Sequence, residues 1–306
     1  MTFRRVTLML GVSTVLALAL VTTIASSAVA ATATAANVCP DGSVNFGVEP
    51  YDTGAQFTAA YEALTGVLSK QLNCPVNLII TDNYTDEVEA MKAGKIDVGE
   101  FGPLGYIFAH QIADAEPVAV FANMNGTPVT YTAALWVPAD SPITTVAELK
   151  GKTVAFSDPG STSGNLMPRY AMIKAGLNPD EVKIEFAGSH PAALLALVNG
   201  KVDAGEINSQ QQATATAAHQ FDASKFRVLW RSAPLQNDPI TVRGALSPAF
   251  KAAVRKGLLA MKPSELKLVD AELGVNAGPM IAATDAMFDP IRAIVNLEHL
   301  SISAIG

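Results

Sequence analysis

From Val44 onward the chain alternates short β-rich runs with longer segments of helical apolar spacing, and this alternation leaves few folds open. Strands separated by helices build largely parallel sheets with helices packed against them. Val44–Val48 precedes a helical pattern over Gln56–Leu72, and Val76–Ile80 precedes Asp86–Ala93, where Thr85, Val88 and Met91 suit a capped helix. Ile96–Val98 reads as a buried strand running into Phe101, Gly102 and Pro103. Pro117–Phe121 and Thr130–Val137 are further strands, the second long and apolar enough to pass between two halves of the molecule. Thr145–Leu149 reads as a helical turn stopped by Gly151. A second βα series then runs through Thr153–Phe156, Val182–Phe186, Pro191–Asn199 and Val202–Ala204. The stretch Gln210–Gln220 reads as a helix, Val228–Trp230 as a strand before a return segment over Pro234–Val242, and the C-terminal part as helical. This order predicts two α/β lobes joined by a double-crossing hinge with a ligand cleft between them. Residues 39–136 plus 239–306 form lobe 1 and residues 137–238 lobe 2, with the hinge at Leu135–Pro138 and Pro234–Ile240.

The N-terminus begins Met1, Thr2, Phe3, Arg4, Arg5 and continues without charge from Val6 to Ile24, ending in small residues at Ala28, Val29 and Ala30. A basic start, an apolar stretch and an Ala-x-Ala site make a signal peptide over residues 1–30, with further small-residue cleavage sites up to about residue 36. A retained membrane anchor is the competing reading of the same run; the Ala/Thr-rich continuation favours cleavage and release into the periplasm. Arg4 and Arg5 also fit twin-arginine export. Loss of the leader takes the net charge from −7 to −9, with 19 basic against 28 acidic residues. That balance excludes a nucleic-acid binder. Cys39 and Cys74 are an even pair in an exported chain, each followed by Pro and then a strand-like run, so a disulfide between them is expected. Ala36, Asn37 and Val38 lack the pattern that would mark Cys39 for acylation.

The segment from Phe156 to Pro168 carries the most chemistry. A strand ends in Asp158, Pro159, Gly160, then Ser161, Thr162 and Ser163, and a helix begins near Gly164. Such a turn offers an anion backbone N–H groups, three hydroxyls and the positive end of a helix without any lysine. The same residues could serve as an ordinary helix cap. Ala187, Gly188, Ser189 and His190 again come after a strand and precede a helix. His190 is thereby placed where open α/β sheets bind their ligands, either as an oxyanion donor or as a satisfied structural histidine. Asp97-Val98-Gly99-Glu100 and Asp203-Ala204-Gly205-Glu206 repeat one theme in the two halves; the aspartates read as structural, and Tyr106 offers a phenol to the cleft. A hydrolase reading of Ser163 with His190 lacks the Gly-x-Ser-x-Gly elbow, and four scattered histidines with two cysteines show no metal-ligand spacing.

Together these stretches resemble the phosphate, phosphite and phosphonate solute-binding proteins of ABC transporters, the PhnD-like family. The marks are Asp158-Pro159-x-Ser161-Thr162-Ser163-Gly164, Gly188-Ser189-His190, Gly102-Pro103-x-x-Tyr106 and Val202-Asp203-Ala204-Gly205. The resemblance implies a type II periplasmic binding fold and no cofactor. It implies a small phosphorus oxyanion held by Ser161, Thr162, Ser163 and His190, with Tyr106 and Tyr51 closing from the first lobe and Asp238 near the second crossing. A second acidic group, as an aminophosphonate would need, falls at Gln210 in this chain, with Glu206 nearby in sequence. The implied partners are an ABC permease and ATPase in the inner membrane, with the binding protein itself a monomer. The other readings are a type II binder of sulfonates or thiamine precursors, and a receptor that presents its ligand to a membrane sensor.

Overall fold

The computed structural model describes residues 39–275 and 278–304; the signal-peptide reading lies outside them. Strands β1 (Val44–Val48), β2 (Val76–Ile80), β3 (Val98–Glu100), β4 (Glu116–Phe121), β12 (Pro239–Val242) and β13 (Met280–Ala282) form one sheet in the order β13-β4-β12-β3-β1-β2. Strands β6 (Ala134–Pro138), β7 (Thr153–Phe156), β8 (Lys183–Phe186), β9 (Ala204–Glu206) and β10 (Phe226–Arg231) form the other, in the order β10-β6-β9-β7-β8. The two repeat one plan. In each, a parallel trio is followed by one antiparallel strand that the chain supplies as it arrives from the other half, β12 in the first sheet and β6 in the second.

Apolar spacing decides which helices cover which face. Helix α1 (Ala55–Leu72) buries Phe57, Tyr61, Leu64 and Leu68 against Val44, Phe46 and Val48, joined by α7 (Pro248–Leu259) and α8 (Pro263–Glu272). The opposite face takes α2 (Tyr84–Lys92), α3 (Pro103–Ala113) and α9 (Asp289–Glu298). The second sheet is covered by α4 (Met167–Lys174) on one side, and by α5 (His190–Val198) and α6 (Ser209–Ala217) on the other. Each fully buried large side chain contributes about 1.5–3 kcal/mol relative to exposure, so each sheet has its own apolar core.

The expected strands at Ile96–Val98 and Val202–Ala204 run instead over Val98–Glu100 and Ala204–Glu206. The cause is the same in both halves. Asp97 accepts a hydrogen bond from the Asn45 N–H at 3.0 Å, and Asp203 from the Thr153 N–H at 2.8 Å. Each aspartate thus fastens the third strand of a trio to the first, which is the structural role read for both. The expected long strand over Thr130–Val137 is broken: β5 (Thr130–Tyr131) pairs with β11 (Leu235–Gln236) in a two-stranded ribbon, and β6 begins afterwards. Because β6 pairs with β9 and β10 in the second sheet, the first passage between sheets lies within 122–133, upstream of Leu135–Pro138. Strand β13, inside the segment read as helical, adds an edge to β4.

Cys39 and Cys74 form a disulfide between the approaches to β1 and β2, with Cα atoms 5.8 Å apart and a sequence separation of 35. Closing a loop of that length restricts the unfolded chain by roughly 3–4 kcal/mol. Urea unfolding of the Cys39→Ala/Cys74→Ala variant is therefore expected to show a loss of about that size; an unchanged midpoint would show that the bridge adds nothing.

Candidate functional site

The carboxyl ends of the parallel strands in both sheets converge on one small pocket, as open α/β sheets arrange their ligand sites. Glu49 and Tyr51 come after β1, Tyr84 after β2, and Gly102 after β3. From the other sheet come Ser161, Thr162 and Ser163 after β7, His190 after β8, and Asn208, Gln210 and Gln211 after β9. Tyr131 from β5 and Asp238, just before β12, complete the lining beside the ribbon. The cavity measures about 50 Å³. At roughly 10–15 Å³ per water-sized occupant, it holds only a handful of non-hydrogen atoms.

The hydroxyl loop is shaped by short-range bonds. Asp158 accepts from the Gly160 N–H at 2.7 Å, which turns the chain after Pro159. A Cβ on Gly160 would lie 2.6 Å from that of Tyr84, and one on Gly164 only 1.7 Å from Ser157 Oγ, so both positions require glycine. Residues Thr162–Leu166 form a widened helical turn that leads into α4.

Each hydroxyl of the loop already has a donor on its acceptor side. Ser161 Oγ accepts from the Gly164 N–H at 3.0 Å, Thr162 Oγ1 from the Leu104 N–H at 2.9 Å, and Ser163 Oγ from Asn208 Nδ2 at 3.3 Å. A hydroxyl whose oxygen is engaged in this way keeps its proton to give. All three line the pocket, where Thr162 and Ser163 also hydrogen-bond the Tyr131 phenol. The Leu104 bond also ties the start of α3 to the loop of the other sheet, and the His190 N–H reaches the Tyr51 carbonyl at 3.4 Å.

His190 begins α5 and is buried. Its Nδ1 contacts Glu206 Oε1 at 2.6 Å, which fixes the ring and leaves Nε2 toward the pocket, 3.4 Å from Ser161 Oγ. Burial is the largest influence and lowers the imidazole's pKa, but the charge and hydrogen bond of Glu206, with the charges of Asp238 and Asp158, outweigh it and raise the pKa above 6.5. Among the described residues lining the pocket none is lysine or arginine, whereas Glu49, Asp52, Asp238 and Glu272 are acidic. Burial pushes the Asp238 carboxyl up to about 7, against the pull of His190, and the Glu272 carboxyl up to about 7, with Asp52 adding to it. The phenols of Tyr51, Tyr84 and Tyr131 are raised well above 10 by burial and nearby carboxylates, so they stay protonated donors.

The structure brings Tyr51, Ser161, Thr162, Ser163, His190, Gln210 and Asp238 together at the pocket wall. Glu206 stands behind His190. Tyr106 is a correction: it lies on the buried side of α3, where its hydroxyl donates to Asp285 at 2.5 Å and its ring packs on Phe288. The tyrosines that line the pocket beside Tyr51 are Tyr84 and Tyr131. Tyr84, Glu49 and Asn208 carry a signal that the motif reading missed, since each stands within a few residues of the carboxyl end of a parallel strand. Tyr131 sits in the ribbon between sheets, a stretch whose sequence pattern reads as one continuous strand.

A model of the family described as "ABC transporter, phosphonate, periplasmic substrate-binding protein" matches residues 46–288. The phosphate-import protein PhnD of Mycolicibacterium smegmatis is 30% identical over 210 residues, covering 65% of this chain and 65% of that protein, slightly less than two thirds of its length. The phosphonates-binding periplasmic protein of Escherichia coli is 26% identical over 263 residues, 84% of this chain and 77% of the relative. In fold, the chain is similar to PhnD1 of Prochlorococcus marinus, solved in complex with methylphosphonate. The TM-score is 0.74 at 20% identity, over 85% of this chain and 99% of that one.

The Glu206–His190 pair can be tested without any ligand. An NMR titration of the His190 ring is expected to show a midpoint above 6.5, and Glu206→Gln to move it down, because the imidazolium loses its counter-charge. An unmoved midpoint would mean that Glu206 does not hold the proton there.

Proposed function

Because this chain belongs to the family of periplasmic substrate-binding proteins of phosphonate ABC transporters, we propose that it captures a small phosphorus oxyanion such as phosphate, phosphite or methylphosphonate. The family is one of binding components, and the chain is a binding protein rather than an enzyme. The observation that carries the ligand reading is the set of three loop hydroxyls with occupied acceptor sides, converging with His190 Nε2 on a cavity of about 50 Å³. Four donors directed at so small a space suit a tetrahedral anion. Neutral donors in a desolvated site hold charge without a lysine, at about 1.5–3 kcal/mol for each charge-assisted bond.

In this mode Ser161, Thr162, Ser163 and His190 hold unprotonated ligand oxygens, while Asp238 accepts the proton of a P–OH group. Sulfate and sulfonates carry no such proton at neutral pH and would face Asp238 without a hydrogen bond whenever it is ionised, which disfavours the sulfonate reading. Tyr84 and Tyr131 add donors around the anion, while Tyr51 gives its proton to Tyr61, which itself donates to Glu100. Gln210, in place of an acid, directs its amide to Asn237 at 3.3 Å, and this favours a ligand without an amine. The halves built on the two sheets act as the lobes, with the ribbon of β5 and β11 as the hinge that closes them on the ligand. The leader would be removed on export, and the loaded protein, a monomer, would deliver its ligand to a permease and ATPase in the inner membrane.

Calorimetric titration with phosphite, methylphosphonate, phosphate and sulfate tests this. Tight binding of at least one phosphorus anion, none of sulfate, and a loss of about 10- to 100-fold for Ser163→Ala or His190→Gln are expected. Affinity should fall as pH rises and His190 gives up its proton. No binding across the four anions, or variants that bind like the wild type, would refute the reading.

A further inference from the structure

Glu49 has no place in the functional reading so far, yet it lines the pocket, with Oε2 on the side of Gly105 in α3. It is 3% exposed, and its two oxygens are treated differently. Oε1 accepts from the Gly102 N–H at 2.7 Å at the start of α3, whereas Oε2 is buried without a partner. A Cβ on Gly102 would stand 2.7 Å from Glu49 Oε1 and 3.5 Å from Thr162 Oγ1. The carboxyl and one of the loop hydroxyls therefore flank the same glycine from opposite sheets. A buried oxygen with nothing to bond is expensive in a folded protein unless a ligand completes it.

We propose that Glu49 is a direct ligand contact, its Oε2 donating a hydrogen bond to a ligand oxygen in the pocket. The proposal rests on the oxyanion reading above and adds one residue and one proton to it. The charges that act most on Glu49 are acids, Asp238 before β12, Glu87 on α2 and Asp158 after β7, with the phenols of Tyr84 and Tyr131 near by and His190 in the same pocket wall. Among the described residues that line the pocket none is lysine or arginine. Burial first, and then these acids, raise the carboxyl well above its ordinary range against the pull of the Gly102 N–H. The proton belongs on Oε2, because Oε1 already receives an N–H. Glu49 then works as the loop hydroxyls do, as a neutral donor, and its ionisation would place a negative charge against the anion. An occupant must turn an unprotonated oxygen to Glu49; a P–H or P–CH₃ group there would leave Oε2 unpaired, so the substituent of such a ligand is directed toward the mouth. There Pro191, Gln211, Thr214 and Glu272 are shared with a larger outer cavity.

Titrate wild type, Glu49→Leu and Glu49→Gln with inorganic phosphate and methylphosphonate from pH 6 to pH 9, checking each variant's fold by thermal unfolding. Glu49→Leu should weaken both anions by about 10- to 100-fold, the worth of one charge-assisted hydrogen bond. Glu49→Gln, whose amide can donate at any of these pH values, should recover most of that loss and flatten the fall in affinity above neutral pH. If Glu49→Leu binds like the wild type, or Glu49→Gln is as weak as Glu49→Leu with an unchanged pH profile, the donor role is wrong. Wild-type protein that binds neither these two anions nor phosphite would overturn the oxyanion reading and this one with it.

Discussion

The contact of Glu206 with His190 Nδ1, at 2.6 Å, sets the chemistry of a pocket that otherwise collects acids. Glu49, Asp52, Asp238 and Glu272 line the site, and Glu87 and Glu100 are buried behind it. An anion entering such a space meets repulsion unless protons stand between it and the carboxylates. Glu206 raises the pKa of His190, and burial raises those of Glu49, Tyr84 and Tyr131, so each keeps its proton to a higher pH. In the proposed mode the ligand is surrounded by O–H and N–H donors rather than fixed cations. Such a shell can also sense protonation, because Asp238 accepts where the others donate.

The duplicated sheet plan explains how these groups reach one point. Each half places its parallel strands so that their carboxyl ends face the other half, and the structural aspartates Asp97 and Asp203 fix the third strand in both. The glutamates that end those strands, Glu100 and Glu206, then turn to different tasks. Glu100 accepts from the Tyr61 hydroxyl at 2.9 Å, which in turn pairs with Tyr51 at 2.9 Å; Glu206 takes His190. One scaffold feature, used twice, thus supports a tyrosine wall on one side and an imidazole on the other.

Much of this is legible in the sequence because it is local. The hydroxyl loop comes after a strand and precedes a helix within a dozen residues, and His190 does the same, so periodicity and turn chemistry locate both. The disulfide is expected from two cysteines placed before two adjacent strands. The features that escape the sequence are long-range. The phenol of Tyr106 stands after a strand and a Gly-Pro turn, as a cleft residue would, yet α3 packs on α9 and carries Tyr106 toward Asp285, 179 residues away. Tyr131 depends on pairing with Leu235, and β13 on pairing with β4. None of these contacts leaves a mark in the local pattern. The orphaned Oε2 of Glu49 is likewise visible only once Gly102 has claimed the other oxygen.

In the proposed mode the loop hydroxyls and His190 present their protons to an anion. A crystal structure of the protein grown with phosphate or methylphosphonate tests it most directly. The expected result is a tetrahedral density in the pocket, with ligand oxygens at about 2.5–3.2 Å from Ser161 Oγ, Thr162 Oγ1, Ser163 Oγ and His190 Nε2. An anion bound elsewhere, or a pocket ligand contacted by none of these atoms, would contradict it.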